Sequence, residues 1–215
     1  MIVNQKKTGL LCISAATSFR ARAHLRVLGE EITSVDKLKV LGFFFDSDGG
    51  VWSQVSAVCA RLRSRSWALT KLRKCGLTAE ELVRVYKSSI RPCAEYAVVV
   101  LHPMLSAEQA DCIETQQTQV LRNIFGFGVS AAKMRKRDGI PTLSERRRTA
   151  CIKFAADLST STRFCHWMER RPETEYPRRQ SVTYGRFIER VAKTARCYNS
   201  PLFYYRRLLN GRSEL

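Results

Sequence analysis

The sequence lacks the residue patterns that mark most enzyme classes. It contains no adjacent pair of aspartates, no GxxxxGK[ST] or GxGxxG phosphate loop and no GxSxG elbow. Two-metal polymerases and nucleases hold Mg²⁺ with clustered carboxylates, and common nucleotide-dependent enzymes need glycine-rich loops. The nearest acidic pair, Asp46 and Asp48, precedes two glycines and favours a turn over a metal site. We therefore expect no complete catalytic set, no metal ligands and no cofactor in this chain.

Long apolar segments and export signals are also missing. The longest apolar candidate, residues 94–101, is interrupted by Glu95, whereas a membrane helix needs about 20 apolar residues. The apolar stretch at 9–14 contains Cys12 and Ser14, which argues against a signal peptide. The eight cysteines form no CxxC pair and are irregularly spaced, which is typical of reduced thiols. We expect an intracellular protein, nuclear or cytoplasmic, that is not secreted and does not bind a membrane.

Acidic residues are scarce relative to basic ones. The 215 residues include 37 Lys and Arg against 19 Asp and Glu, a net charge of +18. Apolar residues make up 45% of the chain, so it can build a core and is not a disordered basic tail. Residues 129–215 hold 20 basic and 8 acidic side chains, which places a net +12 there. This surplus favours a polyanionic partner, with nucleic acid the first candidate and a solvated basic surface the alternative.

Strand-like segments are confined to the first 50 residues. Short apolar runs at 10–14, 25–28 and 37–45 are rich in strand formers, and 29–31 favours a turn. From residue 51 onward, apolar residues recur at intervals of three and four residues, which indicates helices. We predict an α+β fold with two to three short antiparallel strands, a helical bundle and a basic helical or loop tail. The corresponding regions are 1–50, 51–128 and 129–215.

Five short motifs follow one another along the chain. They read Asn-x-x-Lys-Thr at 4–8, Leu-Gly-Phe-Phe-Phe-Asp within 39–46, Ser-Ser-Ile-Arg-Pro and Glu-Tyr-Ala within 82–97, Gln-Gln and Leu-Arg-x-Ile-x-Gly within 105–126, and Gly-Ile-Pro-Thr-Leu-x-Glu-Arg-Arg at 139–147. In this order they resemble the last palm strands, the thumb and the following basic region of a reverse transcriptase from a non-LTR (LINE-type) retrotransposon.

The resemblance implies a role for a few residues near the start of the chain. Lys7 matches the family lysine that is thought to help protonate the leaving pyrophosphate. Leu41, Gly42 and Phe43 match the hairpin that supports the primer end. The family's Asp-Asp loop precedes the Asn-x-x-Lys-Thr motif, so the Mg²⁺ ligands of the parent RNA-directed DNA polymerase are expected upstream of Asn4. We expect a chain that binds nucleic acid without polymerising alone.

A thumb holds its primer–template duplex through the phosphate backbone, so basic helix faces are expected. Arginine suits this task because it binds phosphate in a bidentate manner. The first predicted face comprises Arg61, Arg63, Arg65, Lys71, Arg73 and Lys74, and the second comprises Lys133, Arg135, Lys136, Arg137, Arg146, Arg147 and Arg148. The expected partners are RNA and DNA as a primer–template duplex, together with the palm and fingers of a longer polyprotein.

Six aromatic residues could stack on bases. They are Trp52, Trp67, Trp167, Phe203, Tyr204 and Tyr205. The helical spacing of Trp67 predicts a core position for it instead. For Trp52 the sequence does not decide between a core position and a stacking position.

Two other readings compete with nucleic-acid binding. The chain could be a degenerate or adopted fragment that serves as a non-enzymatic protein-interaction module of helices. It could also be an enzyme with a cryptic carboxylate site built from Asp46, Asp111 and Asp138.

Overall fold

The computed structural model describes residues 8–14, 16–18, 23–27, 29–126, 128, 130–168, 170, 187–189, 192 and 194–211. Four strands come first, and they are β1 His24–Val27, β2 Glu30–Thr33, β3 Lys37–Val40 and β4 Phe43–Asp46. The helices that follow are α1 Trp52–Lys74, α2 Ala79–Val85, α3 Arg91–Glu95, α4 Val98–Met104, α5 Ala107–Phe125, α6 Ala131–Asp138, α7 Leu143–Thr160, α8 Ala195–Tyr198 and α9 Pro201–Leu209. A π-helical turn, Tyr86–Ile90, joins α2 to α3. The predicted α+β class is confirmed.

The strands form two antiparallel pairs, β1 with β2 and β3 with β4. The predicted strand at 10–14 was wrong, because it contributes only one isolated bridge, between Leu10 and Ser34. The predicted turn at 29–31 was also wrong in part, since β2 begins at Glu30. The 37–45 run is a hairpin and not one strand. Leu41 and Gly42 have φ values of +49° and +84° and reverse the chain, so that Val40 pairs with Phe43.

Side chains of residue types that favour N-caps begin several helices. Thr78, Ser106 and Thr142 each accept a hydrogen bond from the backbone N–H three residues later, within complete capping boxes. Ser130 accepts one at the start of α6. Gly76, with φ +94°, follows the end of α1 as its C′ residue. These local signals fix the starts of four helices and the end of one.

The chain divides into two compact units by its internal contacts. The first comprises Met1–Ala94 and Ser106–Met134, and the second comprises Glu95–Leu105 and Arg135–Leu215. The regions 1–50, 51–128 and 129–215 describe sequence character and stay a prediction. The contact boundary falls elsewhere because α4 packs on α7 in the second unit, while β4 packs on α1 in the first.

The first unit is built on the packing of α1 against α5. Leu62 and Leu69 of α1 and Ile113 and Leu121 of α5 are fully buried there. The β3–β4 hairpin is attached to α1, since the Phe44 N–H donates to the Gln54 side-chain oxygen at 3.2 Å. This arrangement leaves the outer side of α1 to solvent.

The second unit packs α7 and α9 around a buried cluster that includes Cys151, Leu158 and Tyr205. The Tyr205 hydroxyl donates to the Val99 carbonyl of α4, and burial raises the pKa of this phenol. Tyr205 therefore anchors the core and does not offer a stacking surface.

In the ranges described above, no helix combines the length and the apolar character that crossing a bilayer requires.

Candidate nucleic-acid interface

The first predicted basic face is divided between two sides of α1. Side chains advance by about 100° per residue in an α-helix, so Arg63 and Arg65 point in different directions. Arg63 Nε donates to Gln116 Oε1 of α5 at 3.2 Å. Arg65 donates to the Ser89 carbonyl in the π-helical turn, and Arg61 Nε donates to Ala57 of its own helix. Arg61 and Arg65 thus lie away from the side that faces α5.

Three exposed cations share one side of α1. Arg63, Lys71 and Lys74 are all exposed, and we call them the α1 row. Within the described residues, none of the three forms an ion pair with a carboxylate. Arg73 lies at the end of the row, where its Nη1 donates to the Asn123 carbonyl at 3.2 Å. The charge of the α1 row is therefore available to an external anion.

Trp67 lies between Arg63 and Lys71 on the same side of α1, and the prediction that it belongs to the core was wrong. Its side chain is 64% exposed. The core-facing position is taken by its neighbour Ser66, whose hydroxyl accepts a hydrogen bond from Asn123 Nδ2 at 2.7 Å. Lys71 Nζ lies 4.9 Å from the centre of the Trp67 ring, a cation–π contact. Trp52 at the start of α1 is also exposed.

A groove of about 210 Å³ separates Trp67 from α5. Its α5 wall carries three amide side chains, Gln116, Gln119 and Asn123. No role was predicted for these amides from the sequence, where Gln116 enters only within the Gln-Gln motif. Their signal was the spacing of three and four residues, which places them on one side of α5.

The second predicted basic face contains cations in very different surroundings. Lys133, Lys136 and Arg148 are exposed, and Arg135 is half-buried. Arg146 instead forms a two-pronged ion pair with Glu95, through Nε to Oε1 and through Nη2 to Oε2. The positive charge of Arg146 is therefore neutralised by a carboxylate within the second unit. The Arg137 side chain and Lys7 lie outside the described part of the chain.

Arg147 requires a correction, because it is only 2% exposed and cannot meet an outside phosphate in this structure. The reason is its helical position. Leu143 and Cys151, four residues before and after it, are both buried, so Arg147 lies on the packed side of α7.

Of the three hairpin residues that match the family's primer-supporting motif, the structure exposes one to solvent. Leu41 lies at the tip and is 90% exposed, Gly42 is half-buried, and Phe43 is 5% exposed. Phe43 contacts Phe45 with ring centres 4.9 Å apart, so it belongs to the packing of the hairpin.

The remaining aromatic candidates lie in the second unit. Trp167 is exposed, Phe203 and Tyr204 are half-buried, and Tyr205 is buried. Among the described tryptophans, Trp67 is the most exposed, and Lys71 lies over its ring.

The carboxylates near the hairpin have local structural partners. Asp46 Oδ2 accepts from the Ser53 N–H at 3.0 Å, and Asp48 Oδ1 accepts from the Gly50 N–H at 2.7 Å, as the predicted turn requires. Among the residues that the structure describes, no group of three or more His, Cys, Asp or Glu is placed to hold a metal ion.

Comparisons with protein-family models, with curated proteins and with solved structures find no match to this chain. The likeness to non-LTR reverse transcriptases therefore depends on the motifs alone and stays a prediction.

Proposed function

We propose that this chain binds duplex nucleic acid through its phosphate backbone, as the thumb and basic region of a non-LTR retrotransposon reverse transcriptase would. The observation that carries the proposal is the α1 row. Its three exposed cations lie on one side of one helix and are not neutralised by described carboxylates.

Physical chemistry supports this function in two ways. Cations that no carboxylate neutralises repel one another, and a polyanion relieves that repulsion while its own condensed counterions are released. Lys133, Lys136 and Arg148 provide further exposed positive charge elsewhere in the chain. Backbone contacts of this kind position a duplex without reading its sequence. RNA and DNA are thus both candidate partners.

In this proposal the chain grips primer–template and leaves the chemistry to another part of a longer polyprotein. Mg²⁺ then belongs to that part, and the setting is intracellular. The absence of an Asp-Asp pair supports this division of labour. Template-dependent primer extension by this chain with Mg²⁺ would contradict it.

The test compares two variants that lose the same charges. One carries Arg63→Gln, Lys71→Gln and Lys74→Gln. The control carries Arg84→Gln, Lys37→Gln and Lys153→Gln, which are also exposed. Fluorescence anisotropy with a labelled 20-base-pair duplex measures the affinity of each at a fixed salt concentration.

We expect the α1-row variant to lose about tenfold or more in affinity, while the control loses a few-fold through its lower net charge. If both variants lost affinity equally, the α1 row would act only through its share of the net charge and would not form a specific binding surface. Retention of full affinity by both variants would favour the alternative of a protein-interaction module.

A further inference from the structure

Binding to a phosphate backbone does not require Trp67 or the groove beside it. A backbone contact needs cations, whereas an indole that is 64% exposed adds a large apolar surface. The groove volume of about 210 Å³ lies below the range of about 300–1,000 Å³ that encloses drug-sized ligands. A space of this size fits one planar ring system.

The lining of the groove offers hydrogen-bond donors and acceptors opposite the indole. Gln116 uses its side-chain oxygen for Arg63 Nε, and Gln119 uses its nitrogen for Asn123 Oδ1 at 3.4 Å. Within the described chain, the Gln116 amide nitrogen and the Gln119 amide oxygen have no further partner. A side-chain amide presents both donor and acceptor, which matches the edge of a nucleobase.

Two cations flank Trp67 along the helix. Arg63 precedes it by four residues and Lys71 follows it by four, which places each about 6 Å along the helix axis from the indole. The same cations that bind backbone in the proposed function would therefore meet the phosphates on either side of a base stacked on Trp67. This charge pattern distinguishes a nucleotide from an apolar peptide as the occupant.

We propose that the groove between α1 and α5 holds one unpaired nucleobase of a bound RNA or DNA strand. The base stacks on Trp67, the amides of Gln116 and Gln119 contact its edge, and Arg63 and Lys71 hold the flanking phosphates. This inference rests on the proposed function and adds a preference for duplexes that carry an unpaired nucleotide.

The experiment uses the full chain and three labelled hairpin duplexes. One is blunt, one carries a short single-stranded tail, and one carries the same tail with abasic sites. The two tailed duplexes have equal charge, so their comparison isolates the base. Deoxyribose and ribose versions of each distinguish DNA from RNA as the source of the base.

We expect the chain to bind the intact tail about fivefold or more tightly than the abasic tail, the range that base–aromatic stacking supplies. Trp67→Leu should abolish that preference, while Trp67→Phe, which keeps an aromatic ring, should retain most of it. Both variants should bind the blunt duplex within about twofold of the original chain, because the phosphate contacts are intact.

A second readout follows the indole itself. Tailed oligonucleotide should quench tryptophan emission in the original chain and in Trp52→Phe, but much less in Trp67→Phe. Equal affinity for intact and abasic tails, or a preference that survives Trp67→Leu, would overturn the inference while leaving phosphate binding in place. Failure to bind even the blunt duplex would overturn the proposed function as well.

Discussion

Arg146 and Arg148 lie two residues apart on α7 but meet different surroundings. Arg146 pairs with Glu95 through two hydrogen bonds, whereas Arg148 is exposed. A charged residue in this chain is therefore not automatically part of the proposed binding surface. Arg206 and Arg207 make the same point, because both are buried and donate to backbone carbonyls of the second unit.

This contrast gives a test at a single residue. We expect Arg146→Met to lower the free energy of unfolding by about 1–2 kcal/mol, because it leaves the half-buried Glu95 carboxylate without its cation. Arg148→Met should change it by less than about 0.5 kcal/mol, as is usual for exposed positions. Urea denaturation of both variants measures the difference. A cost for Arg148→Met that equals that of Arg146→Met would contradict the assignment.

His102 is expected to make stability depend on pH. Burial, followed by the positive charges of Arg147 and Arg148, lowers its pKa from 6.5 to about 4, and its ring packs edge-on against Tyr204 at 5.6 Å. The unfolded chain thus binds the proton more readily. The contribution of neutral His102 is complete above pH 6.5 and is lost as the pH falls toward 4.

Melting temperatures of the original chain and of His102→Gln measure this effect between pH 7 and pH 4. The carboxylates titrate in both proteins and cancel in the difference. We expect the stability gap between the two to shift against the original chain as the pH falls. Parallel curves over the whole range would contradict a partly buried, neutral His102.

Two residues show how far sequence reasoning reaches at this scale. The burial of Arg147 could have been predicted from the sequence, because Leu143 and Cys151 lie four residues before and after it. The exposure of Trp67 was harder to foresee, because it depends on Ser66 taking the core-facing position through a hydrogen bond to Asn123. Such a bond joins residues far apart in the chain and leaves no local pattern.

At the scale of elements, the β3–β4 hairpin carries an unusual turn. Both turn residues have positive φ, which favours Asn-Gly, yet the first is Leu41 at +49°. A bulky residue in this region is strained by about 1 kcal/mol or more. The turn keeps Leu41 at an exposed tip.

Replacement of Leu41 tests this strain. Leu41→Asn should raise the free energy of unfolding by about 0.5–1 kcal/mol, because asparagine tolerates the left-handed region. Leu41→Val is the control, and its β-branched side chain should lower stability. Thermal denaturation monitored by circular dichroism compares the two. A loss of stability in Leu41→Asn would contradict the strain.

Elements with local signals could be predicted from the sequence, and those without could not. The capped starts of α2, α5 and α7 follow from short-range chemistry, since each Thr or Ser N-cap has a Glu or Gln three residues later. The 10–14 run has strand composition but finds no strand partner beyond a single bridge. Strand pairing depends on residues distant in sequence, so composition alone overstated it.

For the whole molecule, net charge and available charge differ. The sequence places a net +12 after residue 128, but Arg146, Arg147, Arg206 and Arg207 there serve internal contacts or are buried. The α1 row lies in the less charged middle of the chain. Whether a phosphate can reach a cation depends more on the exposure of that side chain than on how many basic residues lie nearby in the sequence.

The most direct test of nucleic-acid binding is the salt dependence of duplex affinity. Anisotropy titrations of the full chain with a primer–template hairpin over a series of salt concentrations measure it. We expect log K to fall linearly with log salt at a slope of about −3 or steeper, since the three cations of the α1 row each displace about 0.9 counterion. The variant without the α1 row should lose about three units of slope. A flat dependence, or the same slope in that variant, would contradict the account.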